Sequence, residues 1–158
     1  MAMLTIQVDS REKAHIIQPI IDTFDERGVK WFVSKLPVGD YMSLDNPRLV
    51  VDRKHNLQEC VGNVCQGHKR FVAELGKAND LGIKLIILIE HSRSIRKLED
   101  VIHWNNPRLK VSPLAVSGER LYKIMYSMQK KYGVEWQFCE KRNTGKRIIE
   151  ILGGDTDE

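Results

Sequence analysis

The chain has no apolar run approaching the roughly 20 residues that cross a bilayer, so no membrane partner is expected. Its start, Met1 to Ser10, lacks a basic stretch followed by an apolar block, which argues against a secretory leader. Cysteine is scarce. Cys60, Cys65 and Cys139 are too few and too scattered for a disulfide framework, and they lack the close paired spacing of a zinc site. Reduced thiols in a cytoplasmic protein are the expectation. Internal repeats and linkers are also missing, and 158 residues suit one domain with a proper core. What is present is an ordinary 42% hydrophobic content and a net charge of +4 with a pI near 9.0. That balance permits a nucleic-acid partner without demanding one.

Patterning along the chain predicts an alternation of strands and helices. Leu4 to Val8 alternates as a strand, and Ile16, Ile17, Ile20, Ile21 and Phe24 share one helical face that Gly28 closes. Val29 to Ser34 reads as a second strand, and Pro37-Val38-Gly39 as a turn. Asp40 to Leu44 and Arg48 to Lys54 form a predicted hairpin around Asp45-Asn46-Pro47. A helical region covers Asn56 to about Leu81, with a possible break at Gly62 to Gly67. Leu85 to Ile89 is apolar at every position, as in a central strand covered on both faces. Loops and short helical turns are expected between His91 and Ser117. Leu121, Ile124, Met125 and Met128 make a helix stripe with Ser117 as N-cap. A strand over Val134 to Phe138 and a helix over Lys146 to Leu152 complete one α/β domain over 1–152, with a mixed central sheet flanked by helices. Residues 153–158 form a polar tail.

The informative segment is Arg48-Leu-Val-Val-Asp-Arg-Lys54. Alternate strand side chains share a face, so Asp52 and Lys54 point together and Arg53 points opposite. Charged groups on the inward side of an apolar strand are costly unless they serve a site. Hairpin pairing brings Asp40 toward Asp52. Two convergent carboxylates repel unless a cation lies between them, and Mg²⁺ (or Mn²⁺) suits such hard oxygen donors. Its charge can polarise a phosphodiester and acidify a bound water, and a neighbouring lysine can orient that water. The bland alternative is a solvated strand end beside an ordinary turn.

At these residues the sequence resembles the XPF-type structure-specific endonuclease domains of the PD-(D/E)xK nuclease superfamily. Val8-Asp9-Ser10-Arg11-Glu12 matches the opening Val-Asp-x-Arg-Glu, and Leu36-Pro-Val-Gly39-Asp40-Tyr41 matches Leu-x-x-Gly-Asp-Tyr. Asp52-Arg53-Lys54 matches part of the hallmark Glu-Arg-Lys-x-x-x-Asp, while Arg70-Phe71 and Glu74 fit a later Arg-Phe-x-x-Glu. The likeness is good over residues 4 to about 90 and loose thereafter. It implies a restriction-endonuclease-like fold, Mg²⁺ or Mn²⁺ as cofactor, and hydrolysis of DNA at flaps, forks or Holliday junctions. Asp40 and Asp52 become implied metal ligands and Lys54 the water-positioning residue. Glu12 and Asp9 become supporting carboxylates, with Arg53 bracing from the other face. Arg11, Lys69 and Arg70 are candidate DNA contacts.

Two departures stand out. The first hallmark acid is Asp52 rather than Glu, one methylene shorter, and the last falls on Gln58, which carries no charge. Glu59 next door lies about 100° around the helix, and Asn56-x-x-Glu59 reads as a capping box. The five histidines are dispersed without ligand spacing, and the basic clusters are individually ordinary solvated faces. Helix-hairpin-helix modules are not evident. The expectation is therefore a compact stand-alone nuclease of the phage or mobile-element kind, or an excised domain. It would be cytoplasmic, with the nucleoid or the host cell as its setting. A homodimer through the Leu121–Met128 stripe is a further expectation, against the simpler one that the stripe covers the sheet. The competing functional reading is a non-catalytic DNA-binding or dimerisation domain that keeps the nuclease fold.

Overall fold

The computed structural model describes residues 4–153; the polar tail beyond Gly153 lies outside them. Among the described residues six strands form one mixed sheet in the order β2-β1-β3-β4-β5-β6. They are β1 (Thr5–Val8), β2 (Lys30–Val33), β3 (Tyr41–Ser43), β4 (Asn46–Lys54), β5 (Lys84–Glu90) and β6 (Glu135–Cys139). Pairing is antiparallel for β1–β3 and β3–β4 and parallel for β1–β2, β4–β5 and β5–β6. This is a restriction-endonuclease-like fold.

Helices cover both faces. On one side α1 (Ala14–Glu26) and α5 (Thr144–Leu152) pack Ile17, Ile20, Phe24 and Ile148 against Ile6, Val8, Tyr41, Val51 and Leu88. On the other, α2 (Leu57–Val61), α3 (His68–Asp80) and α4 (Gly118–Tyr132) bring Leu57, Phe71, Leu75, Leu121 and Met125 onto Val50, Leu85, Ile87 and Ile89. The period of two in β4 decides this division, since Val50 and Val51 join opposite cores. β5 is buried from Leu85 to Glu90 with a parallel neighbour on each edge, as its unbroken apolar run predicts.

Several boundaries differ from the sequence reading. The hairpin turns at Leu44 and Asp45 rather than around Asp45-Asn46-Pro47, with Ser43 opposite Asn46. Pro47 belongs to β4 because the ladder slips between Met42 and Ser43, and its missing N–H falls in the slipped stretch where no ladder bond is required. The expected helix break is a π-helical turn over Gly62–Gln66. Helix α5 begins at Thr144, before Lys146. Ser117 does cap α4, accepting from the Arg120 N–H at 3.1 Å. The α4 stripe is already used: Leu121, Met125 and Met128 are buried in the chain's own core, and Ile124 packs against it. Leu121, Met125 and Met128 thus take the simpler expected role, covering the sheet, and leave only the half-buried Ile124 of that stripe at the surface.

Candidate active site

The site forms where the 34–40 loop presses onto β4. Gly39 has φ 71°, and a Cβ there would fall on Val50 Cγ1, so only glycine lets the loop approach this closely. Its neighbour Asp40 is then pinned by two backbone bonds, Asp40 N–H to the Val51 carbonyl at 2.9 Å and Asp9 N–H to the Asp40 carbonyl at 2.8 Å. The Asp40 carboxylate accepts the Arg53 N–H at 2.8 Å. Asp52 and Lys54 follow on the α2–α4 side of β4, both buried. Lys54 Nζ stands 3.4 Å from Asp52 Oδ2, 3.9 Å from Glu59 Oε2 and 5.9 Å from the centre of the Phe71 ring. The structure thus brings Asp40, Asp52 and Lys54 together, as strand periodicity and hairpin pairing predict.

Electrostatics mark the same place. Burial and then the adjacent Asp52 push the Asp40 carboxyl well above its ordinary range, with Glu12 adding to the effect. Burial opposes the Lys54 ammonium, but Asp52 and Glu59 more than compensate and hold it up at about 12. A third acid was quoted in the sequence motif without a role: Glu74 on α3. Burial and Asp52 raise its carboxyl, while Lys54, Arg11 and the Gly39 N–H act the other way.

On the opposite face Arg53 links two carboxylates. Its Nε donates to Glu12 Oε1 at 3.0 Å, and Nη1 lies 3.6 Å from Glu90 Oε1. Tyr41 donates its hydroxyl to Glu12 at 2.7 Å, and Thr144 donates to Glu90 Oε2 at 2.7 Å. Glu12 is thus tied into the brace behind β4, near enough to act on Asp40. Neither Glu90 nor Thr144 was singled out from sequence. The available signal was a charge ending an otherwise apolar strand.

The remaining predicted residues are more scattered. Asp9 accepts the Leu36 N–H at 2.8 Å and pairs with Arg11 at 2.7 Å, so both fasten the 34–40 loop. Arg11 is nevertheless mostly exposed, and feels Asp40 and Glu74. Lys69 and Arg70 are exposed in the first turn of α3, just before Phe71. Gln58 donates to Asn106 Oδ1. Glu59 has its N–H capped by Asn56 Oδ1 at 2.9 Å, while its carboxylate takes the His55 N–H, also at 2.9 Å. It is a cap that also faces Lys54.

Among the described residues no three His, Cys, Asp or Glu side chains converge as a ready-made cage. Two adjacent, mutually repelling carboxylates, Asp52 buried and Asp40 half-buried, nevertheless fit a Mg²⁺-type ion, which binds through one or two carboxylates and keeps most of its waters. No helix is long and apolar enough to cross a membrane among the described residues.

In fold, the chain is similar to XPF from Aeropyrum pernix, with a TM-score of 0.66 at 20% identity, covering 98% of this chain and 62% of that one. XPF from Aeropyrum pernix in complex with DNA matches with a TM-score of 0.66 at 18% identity, over 95% of this chain and 64% of that one. The chain therefore spans somewhat under two thirds of the proteins it resembles. No curated protein matches it in sequence. The ERCC4 domain profile, however, matches residues 8–152, nearly the whole sheet and its helices, and on that extent of agreement the chain belongs to the ERCC4 domain family.

Proposed function

We infer that this chain is a divalent-metal-dependent endonuclease hydrolysing phosphodiester bonds in branched DNA: flaps, forks or Holliday junctions. The observation that carries the reading is the Asp40–Asp52 pair beside Lys54, whose Nζ lies 3.4 Å from Asp52 Oδ2, with Asp52 and Lys54 buried at the end of β4. Mg²⁺ or Mn²⁺ held by Asp40 and Asp52 would supply the charge that polarises the phosphodiester and acidifies a bound water. Without a metal ion, Asp52 and Glu59 hold Lys54 as an ammonium, a hydrogen-bond donor beside the carboxylates. Fixed against Asp52 and Phe71, it is placed to orient the water and to stabilise charge developing on the phosphate. Arg53 holds Asp40 through its backbone N–H and locks Glu12 behind the strand. Arg11, Lys69 and Arg70 offer cations for flanking phosphates.

Family membership and a DNA-bound structure of similar fold support DNA as the partner. The preference for branches rests on the family likeness. Homodimerisation belongs to the same reading, and sedimentation at micromolar concentration reads it.

One observation favours a second reading, a non-catalytic DNA-binding or dimerising domain. Gln58 replaces the last hallmark acid and is engaged with Asn106. A cleavage assay separates the two. End-labelled flap, fork, four-way junction and linear duplex are incubated with Mg²⁺, Mn²⁺ or EDTA. Metal-dependent cutting of the branched substrates that vanishes in Asp52→Asn supports the nuclease. Binding without cutting under every metal condition supports the second reading, and equal cutting of linear duplex removes the branch preference.

A further inference from the structure

The segment from 101 to 118 contains no Asp or Glu, yet carries Arg108 and Lys110. On the same loop three apolar side chains face solvent: Leu109 is 40% exposed, Val111 80% and Leu114 94%. Single exposed apolar residues need no explanation, but three within six positions of one loop do. The loop is held firmly. Asn106 is buried, accepts from Gln58 Nε2 and from the Arg108 N–H, and donates to the Val116 carbonyl at 2.8 Å. One side chain thus closes both ends of the loop against α2. Inside it, Ser112 N–H bonds the Arg108 carbonyl at 2.8 Å and Ala115 N–H the Ser112 carbonyl at 3.1 Å. The apolar tip is presented on a preorganised frame, which reduces the ordering cost of contact.

Between this loop and the α2–π-turn wall runs an open cleft of about 1110 Å³, lined in part by Gln58, Gln66, Arg108, Ser112, Leu114 and Arg120. Its lining includes Gln58, the second residue of α2, four positions after Lys54. The cleft is edged by the cations Arg108 and Arg120.

We propose that the 106–116 loop is a branch-recognition element for DNA. Arg108 and Arg120 neutralise phosphates of a strand lying in the cleft, and Val111 and Leu114 pack on bases where a branch interrupts stacking. The partner follows from charge: Arg108 and Lys110, on a segment without Asp or Glu, and Arg120 across the cleft match a polyanion. Apolar wedges between base steps are a general device, and a base already unstacked at a branch costs less to engage. The proposal rests on the nuclease reading only for its choice of DNA.

The test measures binding in an Asp52→Asn background, so that a protein which cuts nothing still answers. A fork with 2-aminopurine at the branch and a matched linear duplex are the probes. The parent should raise 2-aminopurine fluorescence on the fork. Val111→Ser/Leu114→Ser should abolish that rise and weaken fork binding about tenfold, the scale of one lost base contact, with duplex affinity unchanged. Arg108→Ala/Arg120→Ala should weaken both DNAs and reduce the salt slope by about 2. Both serine sites are exposed, so the melting temperature should not move. Unchanged fluorescence with the parent, or fork affinity retained in the serine pair, overturns the proposal. So does sedimentation in which the serine pair converts a dimer to a monomer, because that assigns the loop to self-association.

Discussion

Asp40→Asn in metal-free buffer should make the protein more stable, not less. Burial and Asp52 hold the Asp40 carboxyl well above its ordinary value of 3.8. A raised carboxyl means that the folded chain binds the proton more tightly than the unfolded one. Stability is therefore highest below the ordinary value, falls as pH rises through the raised one, and stays low above it. Two like charges about 4 Å apart at an effective dielectric near 20 repel by about 4 kcal/mol. Asparagine removes that repulsion while its amide oxygen still accepts the Arg53 N–H, now at 2.8 Å from Asp40 Oδ2. Turning that charge-assisted bond into a neutral one loses about 1 kcal/mol. After further discounting for solvent screening, the balance is a gain of about 1–3 kcal/mol, or roughly 2–10 °C in melting temperature for a chain this long.

Thermal melts across pH with and without Mg²⁺ read this directly. In EDTA the variant should melt above wild type at pH 7, and the gap should shrink as acid protonates Asp40. Mg²⁺ at about a hundredfold over its Kd should stabilise wild type by about 2.7 kcal/mol and the variant by clearly less, since one of two ligands is gone. A variant that melts below wild type in EDTA would refute the repulsion argument. An undiminished Mg²⁺ response would refute Asp40 as a ligand.

Lys54→Ala should lose cleavage of a flap substrate yet keep a Mg²⁺-induced rise in melting temperature, because the ammonium is not a ligand; loss of both would make Lys54 structural. Arg53→Ala leaves Glu12 and Glu90 without their shared cation, and urea unfolding should show a loss of about 3–5 kcal/mol. A change under 1 kcal/mol would mean that the brace contributes little. Met125→Ala, fully buried on α4, should cost about 2–5 kcal/mol without altering the sedimentation coefficient of the folded protein. A shift from dimer to monomer would assign the stripe to an interface.

What the sequence discloses about the site depends on the range of the interaction involved. Asp52, Arg53 and Lys54 are legible because strand alternation is local and places 52 and 54 on one face without knowledge of the partner strands. Asp40 needs one further step, pairing across a short hairpin, and survives an error in the turn. Moving the turn to Leu44–Asp45 changes the distal ladder, while Tyr41 still faces Val51, so the register at the site end holds. The central role of β5 is likewise readable from its unbroken apolar run.

Glu90, Thr144 and Asn106 lie beyond that range. Thr144 meets Glu90 across 54 positions, and Gln58 meets Asn106 across 48. No periodicity encodes such pairs, because each depends on where separate elements end after packing. Gln58 shows the consequence. Read by position, it is a weakened acid of the hallmark. In the folded chain its amide donates to Asn106, which an acid of shorter reach and no N–H would not do. Gln58→Asp should therefore release the 106–116 loop rather than restore a metal ligand. Amide hydrogen exchange should accelerate at Arg108, whose N–H rests on Asn106. Mg²⁺-induced stabilisation should stay at the wild-type level. Gain of a tighter Mg²⁺ response with exchange at Arg108 unchanged would show instead that position 58 faces the carboxylates, and that its amide had displaced a working ligand.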